Sequence, residues 1–159
     1  QSRPLSRHPA VIELVVERLR ETVTQLPDPI ERTAIVLVGR GNRDCCAQAD
    51  MQVMTEVIRK RVACGEMATA FYAMAQPALP KVLDRLAVTR RFKQIVVYPH
   101  LLFQGRLLEA IERQILEAAT RHRSINFLSA KHLGPDPKIA EAIRIRIQQA
   151  SELTSAECR

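Results

Sequence analysis

From Thr33 onward, apolar and polar positions follow two alternating patterns. Short continuous apolar runs are typical of strands buried on both faces, whereas apolar residues three or four apart are typical of helices. The runs predict four strands, at Thr33–Val38, Met67–Met74, Gln94–Pro99 and Ile125–Leu128. The intervening and closing stretches predict four helices, at Ala49–Val62, Pro77–Val88, Gly105–His122 and Asp136–Ser151.

The regular alternation of strands and helices determines the expected architecture. Consecutive strands joined by a crossover helix are parallel, and the crossover is right-handed. We therefore expect an α/β fold with a doubly wound, four-stranded parallel sheet in the order 2-1-3-4, which is flavodoxin-like. In such sheets ligands bind at the carboxyl ends of the strands where the chain reverses direction across the sheet. The loops after Val38 and Tyr98 are the expected site.

Capping residues indicate where the helices begin and end. Gly65 is a suitable C-cap for the first predicted helix, and Pro77 is a suitable first-turn proline for the second. Asp44 and Asp50 are acidic residues near the start of the first helix, where carboxylates cap the backbone and oppose the helix dipole. We expect them to act as caps rather than as catalytic acids.

The first 30 residues precede this pattern. Residues 5–19 (LSRHPAVIELVVERL) echo residues 133–147 (LGPDPKIAEAIRIRI), with leucine, proline, aliphatic residues, glutamate and arginine in register. One interpretation is that residues 1–30 are the closing helix and linker of a preceding copy, followed by an α/β domain at residues 31–159. The chain would then be one half of a longer protein. The alternative is that two amphipathic helices starting after a proline are alike by chance.

Composition limits the class of protein. A chain of 159 residues fits one ordinary domain. Its apolar runs are far shorter than the roughly 20 residues that cross a bilayer, and no export leader opens the sequence, so we expect a cytoplasmic protein without a membrane span. The cysteines lack the paired spacing of a zinc or redox motif, and we expect mostly structural, reduced thiols at Cys45, Cys46, Cys64 and Cys158.

The charge predicts the kind of partner. A net charge of +7 and a pI of about 9.7 favour an anionic partner. The chain has four Phe, two Tyr and no Trp, and it lacks the interleaved aromatic and basic residues that stack nucleic-acid bases. Nucleic acid is therefore not the expected partner, and a small polyanion fits better.

The first expected loop is rich in glycine and arginine. Gly39, Arg40, Gly41, Asn42 and Arg43 lie between a strand and a helix, where glycines bring backbone N–H groups close to an anion and the helix dipole assists. Arginine also binds carboxylates with two hydrogen bonds. The stretch lacks the third glycine of a dinucleotide fingerprint and the ending of a P-loop. An anion-binding turn and an ordinary strand-to-helix turn both remain open.

The second expected loop contains the histidine of interest. His100 is the only histidine expected at the carboxyl edge of the sheet, where a neutral imidazole can ligate a divalent metal or move a proton. The alternative is a histidine hydrogen-bonded into its own loop. We expect structural or solvated roles for the other histidines, which are His8, His122 and His132.

Two cysteines begin the first helix. The helix dipole lowers the pKa of a thiol at that position, so Cys45 and Cys46 are candidates for a reactive thiol or a metal ligand. The alternative is that both are small buried apolar residues.

Three stretches resemble those of a known family. Residues 34–44 (AIVLVGRGNRD), 95–105 (IVVYPHLLFQG) and 132–137 (HLGPDP) resemble the signature stretches of the CbiX-type sirohydrochlorin cobaltochelatases, in the same order. The likeness covers about residues 33–150. It implies the doubly wound chelatase half-domain, of which larger members carry two in one chain.

The resemblance also implies an activity. Members of this family insert Co²⁺ into sirohydrochlorin, a flat tetrapyrrole with eight carboxylates, during cobalamin biosynthesis, and related members insert Fe²⁺ or Ni²⁺. The metal is then a substrate rather than a permanent cofactor. A chelatase must hold the macrocycle and accept two pyrrole protons, so it needs imidazole or carboxylate near the ring centre. We expect His100 as catalytic and metal-binding residue, and the substrate-binding residues Gly39, Arg40, Gly41, Asn42, Arg43, Gly105 and Arg106.

The sequence departs from the family pattern at two positions. Typical members have histidine where this chain has Arg40 and Leu107, and arginine does not coordinate metal because it is permanently protonated. The favoured interpretation is a partner half that binds the carboxylates, either in a homodimer or beside a second half-domain that supplies the metal ligands. The other is that His100 has become the ligand or base. Alternative functions are a catalytically silent anion-binding or tetrapyrrole-binding module and a redox or metal-storage protein that uses Cys45 and Cys46.

Overall fold

Helices and strands alternate along the whole chain. The computed structural model describes residues 4–157, apart from the side chains of residue 7 and residues 152–157. The elements are α1 (Pro9–Val23), β1 (Thr33–Gly39), α2 (Cys45–Arg59), β2 (Glu66–Phe71), α3 (Leu79–Val88), β3 (Gln94–Pro99), α4 (Arg106–Arg121), β4 (Asn126–Ser129) and α5 (Pro137–Glu157). Short 3-10 helices lie at Leu5–Arg7 and Ile30–Arg32.

The sheet confirms the predicted topology. Its order is β2-β1-β3-β4, and all three strand pairs are parallel. In the register of β1 and β3, Leu37 lies opposite Tyr98 and Val38 opposite Pro99. The loops that follow these two central strands therefore leave the same edge of the sheet side by side, as expected at a switch point.

The core has one apolar cluster on each face of the sheet. Alternate residues of a strand point to opposite faces, so Ile35 and Leu37 pack in the first cluster, with buried residues of α1, α2 and α5, while Val36 and Val38 pack in the second, with those of α3 and α4. Every residue of β1 and β3 is buried. Complete burial of one such aliphatic side chain stabilises the fold by about 1.5–3 kcal/mol, which explains why these strands are continuously apolar.

The N-terminal helix belongs to the same core. Its buried residues lie in the first cluster, and its polar face pairs with the start of α5. The Arg18 Nη2 atom lies 3.0 Å from Asp136 Oδ2, and Lys138 pairs with Glu17. The two segments that echo each other in sequence thus pack against the same face of the sheet. Whether α1 derives from a preceding copy stays a prediction.

Helix α2, which follows β1, begins earlier than the sequence predicted. It starts at Cys45 rather than Ala49, because the Asp44 side chain caps it by accepting a hydrogen bond from the Cys46 N–H at 2.8 Å. The role of Asp44 is confirmed, whereas Asp50 lies inside the helix. Gly65 is not the C-cap: the helix ends at Arg59, and Gly65 is required because a Cβ there would lie 2.1 Å from the Glu31 carbonyl oxygen.

Other predicted boundaries also shift. The second strand ends at Phe71 rather than Met74, which lies in a loop with φ of 57°. Pro77 does not open α3, because its carbonyl accepts a hydrogen bond from the Phe71 N–H at 2.9 Å, and Pro80 takes the first-turn position instead. Both ends of β4 lie one residue later than predicted, and α5 extends to Glu157. Among the described helices, none is both long and apolar enough to span a bilayer.

Candidate functional site

The loop after β1 has a conformation that requires glycine. Gly41 has a φ of 92°, and a Cβ on it would lie 1.6 Å from the Ala73 carbonyl oxygen. The loop is also fastened to the next loop along the sheet edge, since the Ala73 N–H donates a hydrogen bond to the Arg40 carbonyl at 3.0 Å. The backbone of this turn is therefore fixed while the side chain of Arg40 is exposed.

Asn42 braces the remainder of the same loop. Its Oδ1 accepts a hydrogen bond from the Asp44 N–H at 3.1 Å, and its carbonyl accepts one from Gln48 Nε2 at 2.9 Å. These bonds join the loop to the first turn of α2. The side chain of Arg43 projects outward and is exposed.

Two adjoining cavities lie at the carboxyl edge of β1 and β3. The first, of about 190 Å³, is lined by Ser6, Gly39, Arg40, Gly41, Asn42, Ala47, Asp50, Met51, Met54, Phe71 and His100. The second, of about 450 Å³, is lined by Leu5, Ser6, Val11, Arg40, His100, Leu101, Leu102 and Leu133. Ser6, Arg40 and His100 line both, so the two cavities form one crevice.

His100 is the titratable residue at the centre of the crevice. Its backbone N–H donates a hydrogen bond to the Val38 carbonyl at 2.8 Å, which holds the residue beside the end of β1. Its Nδ1 is shielded from solvent and has no hydrogen-bond partner within residues 4–157. Burial lowers the pKa of this imidazole to about 4, so the ring is neutral at physiological pH. A neutral ring with an available lone pair can accept a proton or ligate a metal.

A buried tyrosine lies behind His100. The ring centroids of Tyr98 and His100 are 6.3 Å apart, on the same face of β3. Burial raises the pKa of the Tyr98 phenol, and its hydroxyl has no hydrogen-bond partner in the described part of the chain. The phenol therefore stays protonated, and Tyr98 belongs to the apolar cluster on the α1, α2 and α5 face of the sheet.

The structure brings five of the predicted site residues together. Those that line the crevice are Gly39, Arg40, Gly41, Asn42 and His100. Arg43 lines neither cavity. Gly105 precedes α4 with a φ of 150°, and Arg106 is the exposed first residue of that helix; neither lines the crevice. A contact of these three residues with a ligand stays a prediction.

Sequence reasoning missed several sources of crevice residues, two of which are the segment before α1 and the start of α2. Ser6 comes from the 3-10 helix before α1, a segment that the sequence reading placed outside the α/β domain. The first turns of α2 contribute Ala47 and Asp50, because the helix begins four residues earlier than predicted. The capping pattern at Asp44 could have revealed the second source. Nothing local in the sequence indicates the first.

The two positions that depart from the family pattern have different surroundings. Arg40 lines both cavities of the crevice. Leu107 lines neither, and it packs against the apolar cluster on the α3 and α4 face of the sheet. A guanidinium in the crevice suits an anionic ligand.

The thiols differ from the sequence expectation. Cys45 and Cys46 are exposed, so the prediction that they are buried apolar residues is wrong. The pKa of Cys46 is raised by a hydrogen bond with Cys45, by the charge of Cys45 and by Asp44, so the predicted lowering is wrong for this thiol. Cys64 is half-buried, and burial raises its pKa. Cys158 lies outside the described residues.

The remaining histidines have structural positions, as predicted. His8 caps α1, its Nδ1 accepting a hydrogen bond from the Ala10 N–H at 3.2 Å. His122 ends α4 with its Nε2 atom 2.7 Å from Asp84 Oδ1. His132 is buried in the loop after β4.

Fold and crevice together define the class of protein: a doubly wound α/β domain with a crevice at the switch point between β1 and β3. The family model of CbiX matches residues 34–150 of this chain. The chain therefore belongs to the CbiX family, which confirms the resemblance of the three sequence stretches.

Curated relatives give the family match its context. The chain is 27% identical, over 94% of its length, to a sirohydrochlorin cobaltochelatase of Priestia megaterium, and covers 49% of that protein. It is 29% identical, over 87% of its length, to a sirohydrochlorin ferrochelatase of the same organism, and covers 50% of it. The chain thus spans about half the length of the curated relatives it matches.

Solved structures share the fold. SirB from Bacillus subtilis with Fe³⁺ superposes with a TM-score of 0.78 at 21% identity, over 98% of this chain and 59% of that chain. A protein from Marinobacter aquaeolei VT8, described as a cobalamin biosynthesis CbiX protein, superposes with a TM-score of 0.62 at 23% identity, over 76% of this chain and 98% of that chain. The fold of this chain therefore accounts for nearly the whole of the Marinobacter aquaeolei protein.

Proposed function

We propose that this chain is one half of a sirohydrochlorin chelatase and that it binds the tetrapyrrole in the crevice between the loops after β1 and β3, with Co²⁺ as the substrate metal. The observation that carries the proposal is that Arg40 and His100 both line the two cavities at the switch point of the sheet. A guanidinium binds carboxylates, and an imidazole is the group that a metal or a pyrrole proton requires. Relatives named for cobalt and for ferrous chelation support a tetrapyrrole chelatase, and Fe²⁺ or Ni²⁺ are alternative metals.

The surroundings of the crevice suit a flat anionic macrocycle. Arg40 and Arg43 are exposed beside it and carry positive charge. Met74 and Phe103, in the loops after β2 and β3, are 51% and 76% exposed and offer apolar surface at the same edge of the sheet. Charged side chains can then meet the carboxylates while apolar side chains meet the ring face.

His100 is the imidazole in the crevice that can ligate the metal or accept a proton. Because burial holds its pKa at about 4, the ring keeps its lone pair free at neutral pH. Insertion releases two pyrrole protons, and a neutral imidazole near the ring can accept one and pass it to solvent.

A second half-domain completes the site in this proposal. Arg40 and Leu107 occupy the positions where typical members have histidine, and the chain spans half the length of its curated relatives. We therefore favour a partner half that binds carboxylates while a second, non-identical half-domain supplies metal ligands. Homodimerisation belongs to the proposal as a way to enclose the macrocycle, since each copy would bring only its own His100 to the crevice. A monomer at micromolar concentration in gel filtration would contradict homodimerisation. A cytoplasmic location and a place in cobalamin biosynthesis belong to the same proposal.

The decisive experiment follows metal insertion by absorbance. Sirohydrochlorin and Co²⁺ are mixed anaerobically with the wild-type chain, with His100→Ala or with His122→Ala. The last variant is the control, because it removes the imidazole of the C-cap residue of α4, outside the crevice. If His100 is the ligand or base, insertion exceeds the uncatalysed rate with the wild type and with His122→Ala, and that rate is lost with His100→Ala. Equal rates with both variants would overturn the role of His100.

Binding without insertion would favour the partner half, which is catalytically silent on its own. The observation on its side is the absence of histidine at positions 40 and 107. In that case sirohydrochlorin titration gives the same affinity with and without Co²⁺, and insertion appears only when a complementary half is added. No tetrapyrrole binding at all would contradict both functions.

A further inference from the structure

We propose that Asp44, Cys45 and Cys46 form a site for a thiophilic divalent cation at the rim of the crevice. One ligand atom from each of the three residues, a carboxylate oxygen and two sulfurs, lies within 4.8 Å of the other two. All three side chains are exposed, so a cation reaches them without any rearrangement of the core. Two sulfurs and one oxygen are a donor set typical of Co²⁺, Ni²⁺ and Zn²⁺ and unsuited to Mg²⁺ or Ca²⁺.

Hydrogen bonds hold Asp44 and the first turn of α2 in place. The Asp44 carboxylate uses Oδ1 to accept the Cys46 N–H at 2.8 Å, which fixes the first turn of α2. The Asp44 N–H is in turn held by Asn42 Oδ1 at 3.1 Å. A cation that binds here therefore meets a carboxylate and a backbone turn that are already ordered, and it releases the thiol protons as the sulfurs coordinate.

Three protein ligands leave a tetrahedral ion with one open position. Structural zinc sites close all four positions, whereas sites that exchange a ligand keep one open. An exposed site with three ligands is thus suited to taking up and releasing a cation rather than to permanent storage.

The position of the cluster suggests what the cation is for. Gly41 and Asn42 precede it and Ala47 and Asp50 follow it, and all four line the crevice. His100 lines the same crevice with a solvent-shielded Nδ1 that has no partner in the described residues. Asp44, Cys45 and Cys46 line neither cavity, and we assign them as a loading site that gathers the substrate metal at the rim of the crevice that His100 lines. Cation binding stands independently, whereas this loading role rests on the proposed function.

The test uses Co²⁺ alone as the probe. Every protein carries Cys158→Ser, so the thiol of the undescribed terminus does not contribute, and each is reduced and titrated anaerobically while sulfur-to-cobalt charge-transfer absorbance is recorded. We expect the band with the parent chain and with Cys64→Ser, which removes a half-buried thiol outside the cluster. The double variant Cys45→Ser/Cys46→Ser loses the band. Asp44→Asn keeps the helix cap and the band, and weakens Co²⁺ binding by at least about tenfold.

Defined outcomes overturn the site. The site is overturned if the band persists in Cys45→Ser/Cys46→Ser. It is also overturned if the band disappears with Cys64→Ser, or if the parent chain shows no thiolate band. The loading role is tested separately by insertion assays, in which the double variant raises the KM for Co²⁺ more than it lowers kcat. An equal KM in both proteins removes the loading role. If the parent chain shows no insertion, the proposed function fails, and the Co²⁺ titration still decides the cation site.

Discussion

Two histidines follow neighbouring elements of the fold in opposite environments. His122 ends α4 at the surface, where its Nε2 atom lies 2.7 Å from Asp84 Oδ1 and Arg121 binds the same carboxylate at 3.0 Å. His100 follows β3 and lines the crevice, and its Nδ1 is shielded from solvent without a partner in the described residues. Buried polar atoms in folded proteins nearly always have partners. In our proposal this difference favours the end of β3, rather than the end of α4, as the functional end.

The backbone around the two histidines differs as well. The crevice depends on a loop conformation that only glycine adopts easily, whereas the ion pair joins the ordinary helices α3 and α4. Perturbing the crevice should therefore cost more than perturbing the ion pair. The predictions below test this ranking.

The largest effect is expected from Gly41→Ala. A Cβ there would lie 1.6 Å from the Ala73 carbonyl oxygen at a φ of 92°, so the loops after β1 and β2 must separate. We expect the free energy of unfolding in urea to fall by about 3 kcal/mol. Gly39→Ala is the matched control in the same motif, because its Cβ would meet its nearest atom, Met51 Sδ, at 3.5 Å. Equal losses in the two variants would contradict the explanation.

The second effect is the pH dependence that His100 imposes on stability. Its pKa falls from 6.5 to about 4 on folding, so the unfolded chain binds a proton more readily than the folded chain. This group therefore does not lower the free energy of unfolding above pH 6.5. As the pH falls from 6.5 toward 4, the free energy of unfolding decreases by about 3 kcal/mol in total.

An NMR titration of the His100 ring measures this pKa directly, and His100→Gln assigns the resonance by its disappearance. The same variant should show a weaker loss of stability than the wild type between these pH values. A His100 pKa at its ordinary value would show that the ring is hydrated, and would contradict its burial in the crevice.

The third effect concerns the two arginines of the first loop. Arg40 lines both cavities and Arg43 lines neither. Arg40→Ala should weaken sirohydrochlorin binding about tenfold, the cost of one charged hydrogen bond, as measured by fluorescence or absorbance titration. Arg43→Ala removes the same charge and should have a smaller effect. Similar losses would mean that net charge, rather than position in the crevice, determines affinity.

Sequence reasoning predicted the parts of this molecule that depend on local pattern. The continuous apolar runs of β1 and β3 revealed two buried strands, and the switch-point rule then placed Arg40 and His100 at one edge of the sheet. Helix ends were less predictable. Pro77 and Pro80 are both plausible first-turn prolines, and only the hydrogen bond to the Pro77 carbonyl decides between them.

Parts that depend on tertiary packing could not be predicted. Ser6 reaches the crevice because α1 packs on the same face of the sheet as α5, and no local signal in residues 1–30 indicates this. The raised pKa of Cys46 is likewise set by the side chains of Cys45 and Asp44, which the dipole argument ignored.

The smallest effect is expected at the ion pair of His122. Burial opposes ionisation of Asp84, but hydrogen bonds from His122 and Arg121 outweigh it and lower the pKa of this carboxyl. Because the folded-state pKa lies below the ordinary value, the pair stabilises the fold at neutral pH and this contribution is lost as the pH falls through the lowered pKa. The Asp84 and Arg121 side chains are each 44% exposed, so Asp84→Asn should cost less than about 1 kcal/mol in urea unfolding at neutral pH. In acid the variant and the wild type should converge. A larger loss in the free energy of unfolding for Asp84→Asn, or a loss that persists in acid, would mean that Asp84 contributes to packing as well as to the ion pair with His122 and Arg121.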